Sequence, residues 1–204
     1  MKRFGTAVIL AGGKSTRMGF DKQLLEINER RLIDNLRRKL IREFDEIIVV
    51  TNRSEYYLGF DDKITKDIIV GKGPLSGIHA GLMEASSQYV YFVACDMPNI
   101  YMEYIKYMKK ELGNLEVKAC VTRFGEWIEP FNAFYSKEMI DDIERHLLQN
   151  RRSINSLLDK LMVHYIEEEK AREFSPNWDM FLNLNTKDDL DDFLEAVNRG
   201  YRGR

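Results

Sequence analysis

At 204 residues, with 44% hydrophobic and 31% charged residues, the chain has the size of one ordinary domain and the composition of a globular protein rather than a disordered or membrane-spanning one. Its 31 lysines and arginines against 33 aspartates and glutamates leave a formal net charge of −2, so no overall basic field exists to hold a nucleic-acid backbone, and any phosphate site must be local. The apolar stretch Thr6–Ala11 is too short for the core of a signal peptide, and no run reaches the roughly eighteen apolar residues of a membrane span, which predicts a cytoplasmic protein without a membrane partner.

Strand candidates stand at 6–10 (TAVIL), 46–51 (EIIVVT), 89–95 (YVYFVAC) and 117–123 (VKACVTR), each nearly continuously apolar, as expected of strands buried on both faces. Between the first two, Leu32, Ile33, Leu36, Leu40, Ile41 and Phe44 keep a helical period, with Arg30, Arg31, Arg37, Arg38 and Arg42 on what reads as a solvated face. A second helix is predicted after Pro74, with Leu75, Ile78, Leu82 and Met83 on one face, and a third near Pro98. This alternation predicts a single-domain, Rossmann-like α/β fold of three layers, a mainly parallel sheet flanked by helices, with ligands outside the carboxyl ends of the strands. Further on, 131–135 and 162–167 read as strands and 137–148, 153–161 and 186–197 as helices, with Ser153 and Thr186 as N-caps. Tyr101, Tyr104 and Tyr107 recur at a spacing that packs a helix rather than stacks bases.

Cys95 and Cys120, the two cysteines, sit in apolar strand candidates without metal-site spacing, and read as buried thiols in a reduced setting. None of the three histidines has a sequence neighbourhood that suggests a triad or a metal site.

The most informative stretch runs from Ala7 to Lys22, AVILAGGKSTRMGFDK. Gly13-Lys14-Ser15 superficially looks like a P-loop, but Val8 stands where that motif needs its first glycine, and adjacent Gly12 and Gly13 fail the GxGxxG fingerprint. Gly12, Gly13 and Gly19 would still let main-chain N–H groups approach an anion, with Lys14, Arg17 and Lys22 adding charge and Asp21 free to orient Arg17 or Lys22. A glycine-rich turn with solvated basic side chains fits the same residues. Asp96, directly after a strand candidate, suits either a Mg²⁺ ligand or the cap of a helix starting near Pro98. Gly71-Lys72-Gly73-Pro74 fails the dinucleotide fingerprint and reads as a turn that opens a helix.

LAGGKSTRMGFDK resembles, almost position for position, the LAGGxSxRMGxDK signature of nucleotidyltransferases, specifically the molybdenum cofactor guanylyltransferase family. The later segments ACDMP, DIIVGKGPLSG and FLNLNTKDDL resemble the family's segments in order and spacing, with Lys187 in place of the family's usual proline. The resemblance implies one nucleotidyltransferase domain over residues 1–204, its N-terminal part binding GTP and magnesium and its C-terminal part facing the acceptor. It implies that Leu10, Ala11, Gly12, Gly13, Lys22, Asn52, Asp67, Gly73 and Asp96 bind GTP. Arg17, Lys22 and Asp96 would be the catalytic residues, Asp96 the Mg²⁺ ligand, and Asn183 and Asn185, alternating on a short strand, product or metal contacts. RRSINSLLDKL matches a weaker family segment near the expected pterin side, which implies that Arg151 and Arg152 could meet the pterin phosphate, although a solvated helix start is the safer reading of these two residues. The implied reaction moves GMP from GTP to the phosphate of Mo-molybdopterin, with molybdoenzymes or upstream cofactor-biosynthesis proteins as protein partners. A sister enzyme using CTP with molybdopterin or another NTP with a sugar phosphate, and a nucleotide-binding adaptor without turnover, are the competing readings.

Overall fold

The computed structural model describes residues 1–12, 21–27 and 29–202, with 198–202 as backbone alone. In chain order it contains β1 (Phe4–Leu10), a small hairpin of β2 (Glu26–Ile27) and β3 (Arg30–Arg31), α1 (Leu32–Leu40), β4 (Glu46–Val50), β5 (Lys63–Thr65), α2 (Pro74–Glu84) and β6 (Tyr89–Ala94). The second half adds α3 (Met102–Leu112), β7 (Ala119–Phe124), β8 (Trp127–Ser136), α4 (Ile140–Leu148), α5 (Ile154–Leu158), β9 (Val163–Glu167), α6 (Glu168–Arg172) and α7 (Lys187–Arg202). The main sheet has the order β5-β4-β1-β6-β8-β7-β9. Every neighbouring pair is parallel except those made by β8, which runs antiparallel to both β6 and β7.

Because side chains alternate along a strand, the apolar strands feed two cores at once. Ala7, Ile9, Val49, Tyr91 and Val93 pack on one face with Leu36 and Leu40 of α1 and Tyr104 and Met108 of α3. Val8, Leu10, Ile48, Val50 and Phe92 pack on the other with Ile78 and Leu82 of α2 and Ile143 of α4. The result is the expected three-layer arrangement, and Tyr104 and Tyr107 pack within it, each against Phe174.

Several boundaries differ from the sequence expectation. The third helix begins at Met102 rather than near Pro98, because the connection is held by tertiary hydrogen bonds from Asn99 Nδ2 to the Asp179 carbonyl and from the Tyr101 hydroxyl to the Asp179 carboxylate. Ile41 falls beyond the end of α1 and is 59% exposed, and Met83 is 46% exposed. At about 100° per residue Met83 lies roughly 140° from Ile78, off the buried stripe. Nor is the arginine set simply a solvated face: Arg31 donates to the carbonyls of Tyr56 and Gln23, and Arg37 pairs with Asp62. The segment after β4 folds back to receive them.

β8 carries a local irregularity next to the cleft described below. Asn132 has a left-handed backbone (φ 57) and is buried; its Oδ1 accepts the Tyr91 hydroxyl at 2.6 Å, and its Nδ2 donates to the Met180 carbonyl at 3.4 Å. Replacing Tyr91 with phenylalanine strands a buried acceptor, and a urea titration is expected to show a loss of about 1–3 kcal/mol.

Candidate active site

The chain leaves β1 for β4 on one side, and after β5 and α2 returns to β6 on the other, so the topology reverses around β1. Such a reversal separates the connections at the carboxyl ends of the strands and opens a crevice there. A cleft of about 1160 Å³ occupies that position, bordered by Leu10 at the end of β1, Thr51 after β4 and Cys95 after β6. Ala11 and Gly12 continue β1 into the cleft, and the Ala11 N–H still donates to the Val50 carbonyl at 2.9 Å.

Two polar groups border this space. In the first, the Lys22 ammonium donates to Asp96 Oδ2 at 2.6 Å and to Asn185 Oδ1 at 2.7 Å, joining residues far apart in sequence. The Lys22 and Asp96 side chains are only 19% and 13% exposed, so the pair is screened less than a surface ion pair. Asp96 does not cap α3, whose N-cap is Tyr101. Asn183 and Asn185 also border the cleft, but not from a strand: a 3-10 turn at Asp179–Phe181 leads into an irregular segment tied to β6 by the bond from the Leu184 N–H to the Asp96 carbonyl at 2.9 Å.

The Asn185 end of that segment is held by a capping arrangement. Asp189 Oδ2 accepts the Asn185 and Thr186 N–H groups at 2.8 Å each, while the Asp189 N–H donates to the Thr186 hydroxyl at 3.1 Å, as a capping box requires. The Asn185 N–H, followed by Thr186, holds the Asp189 carboxyl below its usual value of 3.8. A depressed carboxyl contributes stability above its unfolded pKa and loses it as pH falls through the lower folded value. A difference in thermal midpoint between wild type and Asp189→Ala is therefore expected at neutral pH and should close below about pH 4.

In the second polar group, Asn52 Nδ2 donates to Asp67 Oδ2 at 3.0 Å, so the amide after β4 orients the carboxylate that precedes α2. Gly73 borders the cleft at the N-terminus of α2 with φ 74, a conformation that suits glycine. Gly77 lies one turn further along. A Cβ there would stand 2.9 Å from Leu10 Cδ2, so any larger residue at this position requires the tip of the Leu10 side chain to shift out of the way of α2.

Of the residues singled out in the sequence, Leu10, Ala11, Gly12, Lys22, Asn52, Asp67, Gly73, Asp96, Asn183 and Asn185 all border this one cleft. Gly13, Lys14, Arg17 and Gly19 lie outside the described residues. Asp21 turns its carboxylate to the Gln23 N–H and side-chain amide, capping the short turn that carries Lys22. Arg152 also borders the cleft. Burial, with the Asp96 carboxylate adding to it, pushes the Cys95 thiol up, leaving a protonated group rather than a nucleophile. Both cysteines are free and buried.

Sequence reasoning missed Gln23 and Phe131, both of which border the cleft. Gln23 had no signal beyond its place beside Lys22, and Phe131 looked like any apolar strand residue. Among the described residues no three His, Cys, Asp or Glu side chains gather to hold a metal. Two hard oxygens, Asp96 Oδ2 and Asn185 Oδ1, nevertheless converge on one cationic atom. A magnesium ion, which commonly takes one or two protein carboxylates and completes its shell with water and phosphate oxygens, fits that donor set.

The model of the MobA-like NTP transferase domain matches residues 7–165, from β1 into β9. The chain belongs to that family. This MobA-like transferase is 52% identical over 201 residues to a probable molybdenum cofactor guanylyltransferase of Peptoclostridium acidaminophilum, covering 96% of this chain and 91% of the relative. It is also 52% identical over 189 residues to a molybdenum cofactor guanylyltransferase of Syntrophotalea carbinolica, covering 93% and 90% of the two chains. Among solved structures, molybdopterin-guanine dinucleotide biosynthesis protein A of Archaeoglobus fulgidus superposes with a TM-score of 0.84 at 27% identity, covering 95% of this MobA-like chain and 99% of the other. No helix among the described residues is long and apolar enough to cross a membrane.

Proposed function

We propose that this chain is a cytoplasmic molybdenum cofactor guanylyltransferase, transferring GMP from GTP to the phosphate of Mo-molybdopterin and releasing pyrophosphate. The observation that carries the reading is the 52% identity to relatives bearing that name over more than nine-tenths of this chain. In this reading the Gly12–Gly13 loop, Arg17 and Lys22 hold the triphosphate, and Arg17 stabilises the departing pyrophosphate. Asn52, Asp67 and Gly73 take the guanine side, and Asn183 and Asn185 meet metal or product. Asp96, with Asn185 beside it, would hold a magnesium ion, which when bound would neutralise phosphate charge and help align the reacting groups.

The protein's own task is to bring two anions together in line and to offset their repulsion, which positioned cations and N–H groups do without a protein nucleophile. An acceptor phosphate is already ionised at neutral pH, so no general-base histidine is required. Product transfer to molybdoenzymes would supply the protein partner.

The test is to supply purified protein with Mo-molybdopterin, Mg²⁺ and each of GTP, CTP, ATP and UTP in turn, following pyrophosphate release and the dinucleotide product. Release with GTP alone is expected. Release with CTP in preference would assign the sister reaction, and binding without release would make the protein an adaptor.

A further inference from the structure

We propose that Gln23 is a positioning residue that fixes the distance between the triphosphate side and the base side of the cleft. The proposal rests on the nucleotide-binding reading above. Gln23 is only 5% exposed, yet its side chain is polar and hydrogen-bonded at both ends. Its Oε1 accepts the Thr51 hydroxyl at 2.6 Å and the Tyr57 hydroxyl at 3.0 Å, and its Nε2 donates to Asp21 Oδ1 at 3.2 Å. Its main chain is held as well: the N–H donates to Asp21 Oδ1 at 3.1 Å, and the carbonyl accepts from the Arg31 guanidinium at 3.1 Å.

These bonds join two segments that carry site residues. On one side, Lys22 immediately precedes Gln23 in the same 3-10 turn and reaches Asp96 and Asn185. On the other, Thr51 immediately precedes Asn52, and the Thr51 hydroxyl, while donating to Gln23, accepts the Arg53 N–H at 2.9 Å and so shapes the turn that presents Asn52 to Asp67. The amide thus ties the backbone under Lys22 to the backbone under Asn52. An apolar side chain would fill the same buried space without desolvating an amide. What it could not do is set the register of the two turns, because packing contacts are non-directional where hydrogen bonds are not.

A positioning role predicts coupling to Lys22, whereas a merely structural role predicts an effect independent of it. The test is a double-mutant cycle of Gln23→Leu and Lys22→Ala, read by calorimetric binding of a nucleoside triphosphate whose α–β bridging oxygen is replaced by methylene, with the thermal midpoint measured separately. Gln23→Leu is expected to weaken binding about tenfold in the wild-type background and less than about twofold in the Lys22→Ala background. Thr51→Val, nearly the same shape, removes both the bond to Gln23 and the acceptor of the Arg53 N–H, and keeps the proposal testable should Gln23→Leu not fold; a loss of about threefold to tenfold is expected in the wild-type background, and again less than about twofold in the Lys22→Ala background. Equal losses in both backgrounds, or Thr51→Val binding like wild type, would overturn the proposal. The cycle uses whichever triphosphate the wild type binds most tightly. A failure of the guanine assignment therefore appears in the wild type, and a failure of the Gln23 proposal in the cycle.

Discussion

Replacing Asp96 with alanine is expected to lower turnover by about 10²–10³, the scale set by losing one electrostatic stabiliser from a reacting site. The expectation follows from position. Asp96 stands just past the end of β6, its main-chain carbonyl accepts the Leu184 N–H, and its carboxylate meets the Lys22 ammonium at 2.6 Å in a largely buried part of the cleft. Asp96→Asn separates charge from shape, since the amide keeps an oxygen for Lys22 but loses the negative charge that a divalent cation needs. Asp96→Asn should therefore be nearly as slow as Asp96→Ala, with a thermal midpoint close to wild type. Pyrophosphate release measured across a Mg²⁺ titration checks this, and near-normal turnover of Asp96→Asn would remove Asp96 from the metal-binding role.

The second large effect concerns nucleotide choice. Guanine presents N1–H and N2–H₂ donors, which a carboxylate accepts and which adenine does not offer in that pattern. A hydrogen bond to a charged group contributes about 1.5–3 kcal/mol, so Asp67→Ala should weaken GTP binding by roughly 10–150-fold while leaving the weaker binding of ATP nearly unchanged. Asn52→Ala is expected to act in the same direction but by only a few fold, because its amide reaches Asp67 Oδ2 at 3.0 Å and orients a carboxylate that persists without it. Binding titrations with GTP and ATP on the two variants and the wild type provide the measurement. If the wild type binds GTP and ATP equally, Asp67 does not select guanine.

Much of the architecture was legible because its cause is local. TAVIL and YVYFVAC lack the alternation of a half-exposed strand, and they became β1 and β6, buried on both faces. Pro74 opens α2, and Ser153 caps α5, its hydroxyl accepting the Ser156 N–H. The arrangement of β8 was not legible. A strand inserted antiparallel between β6 and β7 has the same alternation and composition as one placed at an edge, and only pairing distinguishes them. The FLNLN segment was read as a strand for the same reason, although Phe181 closes a 3-10 turn and the irregular residues after it join no ladder, tied to the end of β6 through the Leu184 N–H and the Asp96 carbonyl. His79 and His164 likewise acquired carboxylate neighbours, Glu144 and Glu111, that are distant in sequence.

By itself, the sequence determined the three-layer α/β class, that a glycine-rich stretch follows the first strand, and the residue types offered to a phosphate and a base. Periodicity and turn chemistry are properties of neighbouring residues. Only the tertiary structure decided that Lys22, Asp96 and Asn185 meet, that Asn52 orients Asp67, and that a buried Gln23 joins the two sides. Those contacts depend on the reversal of strand order around β1, which helps bring five separate segments to one end of the sheet, and on hydrogen bonds whose partners lie 15 to 163 residues apart.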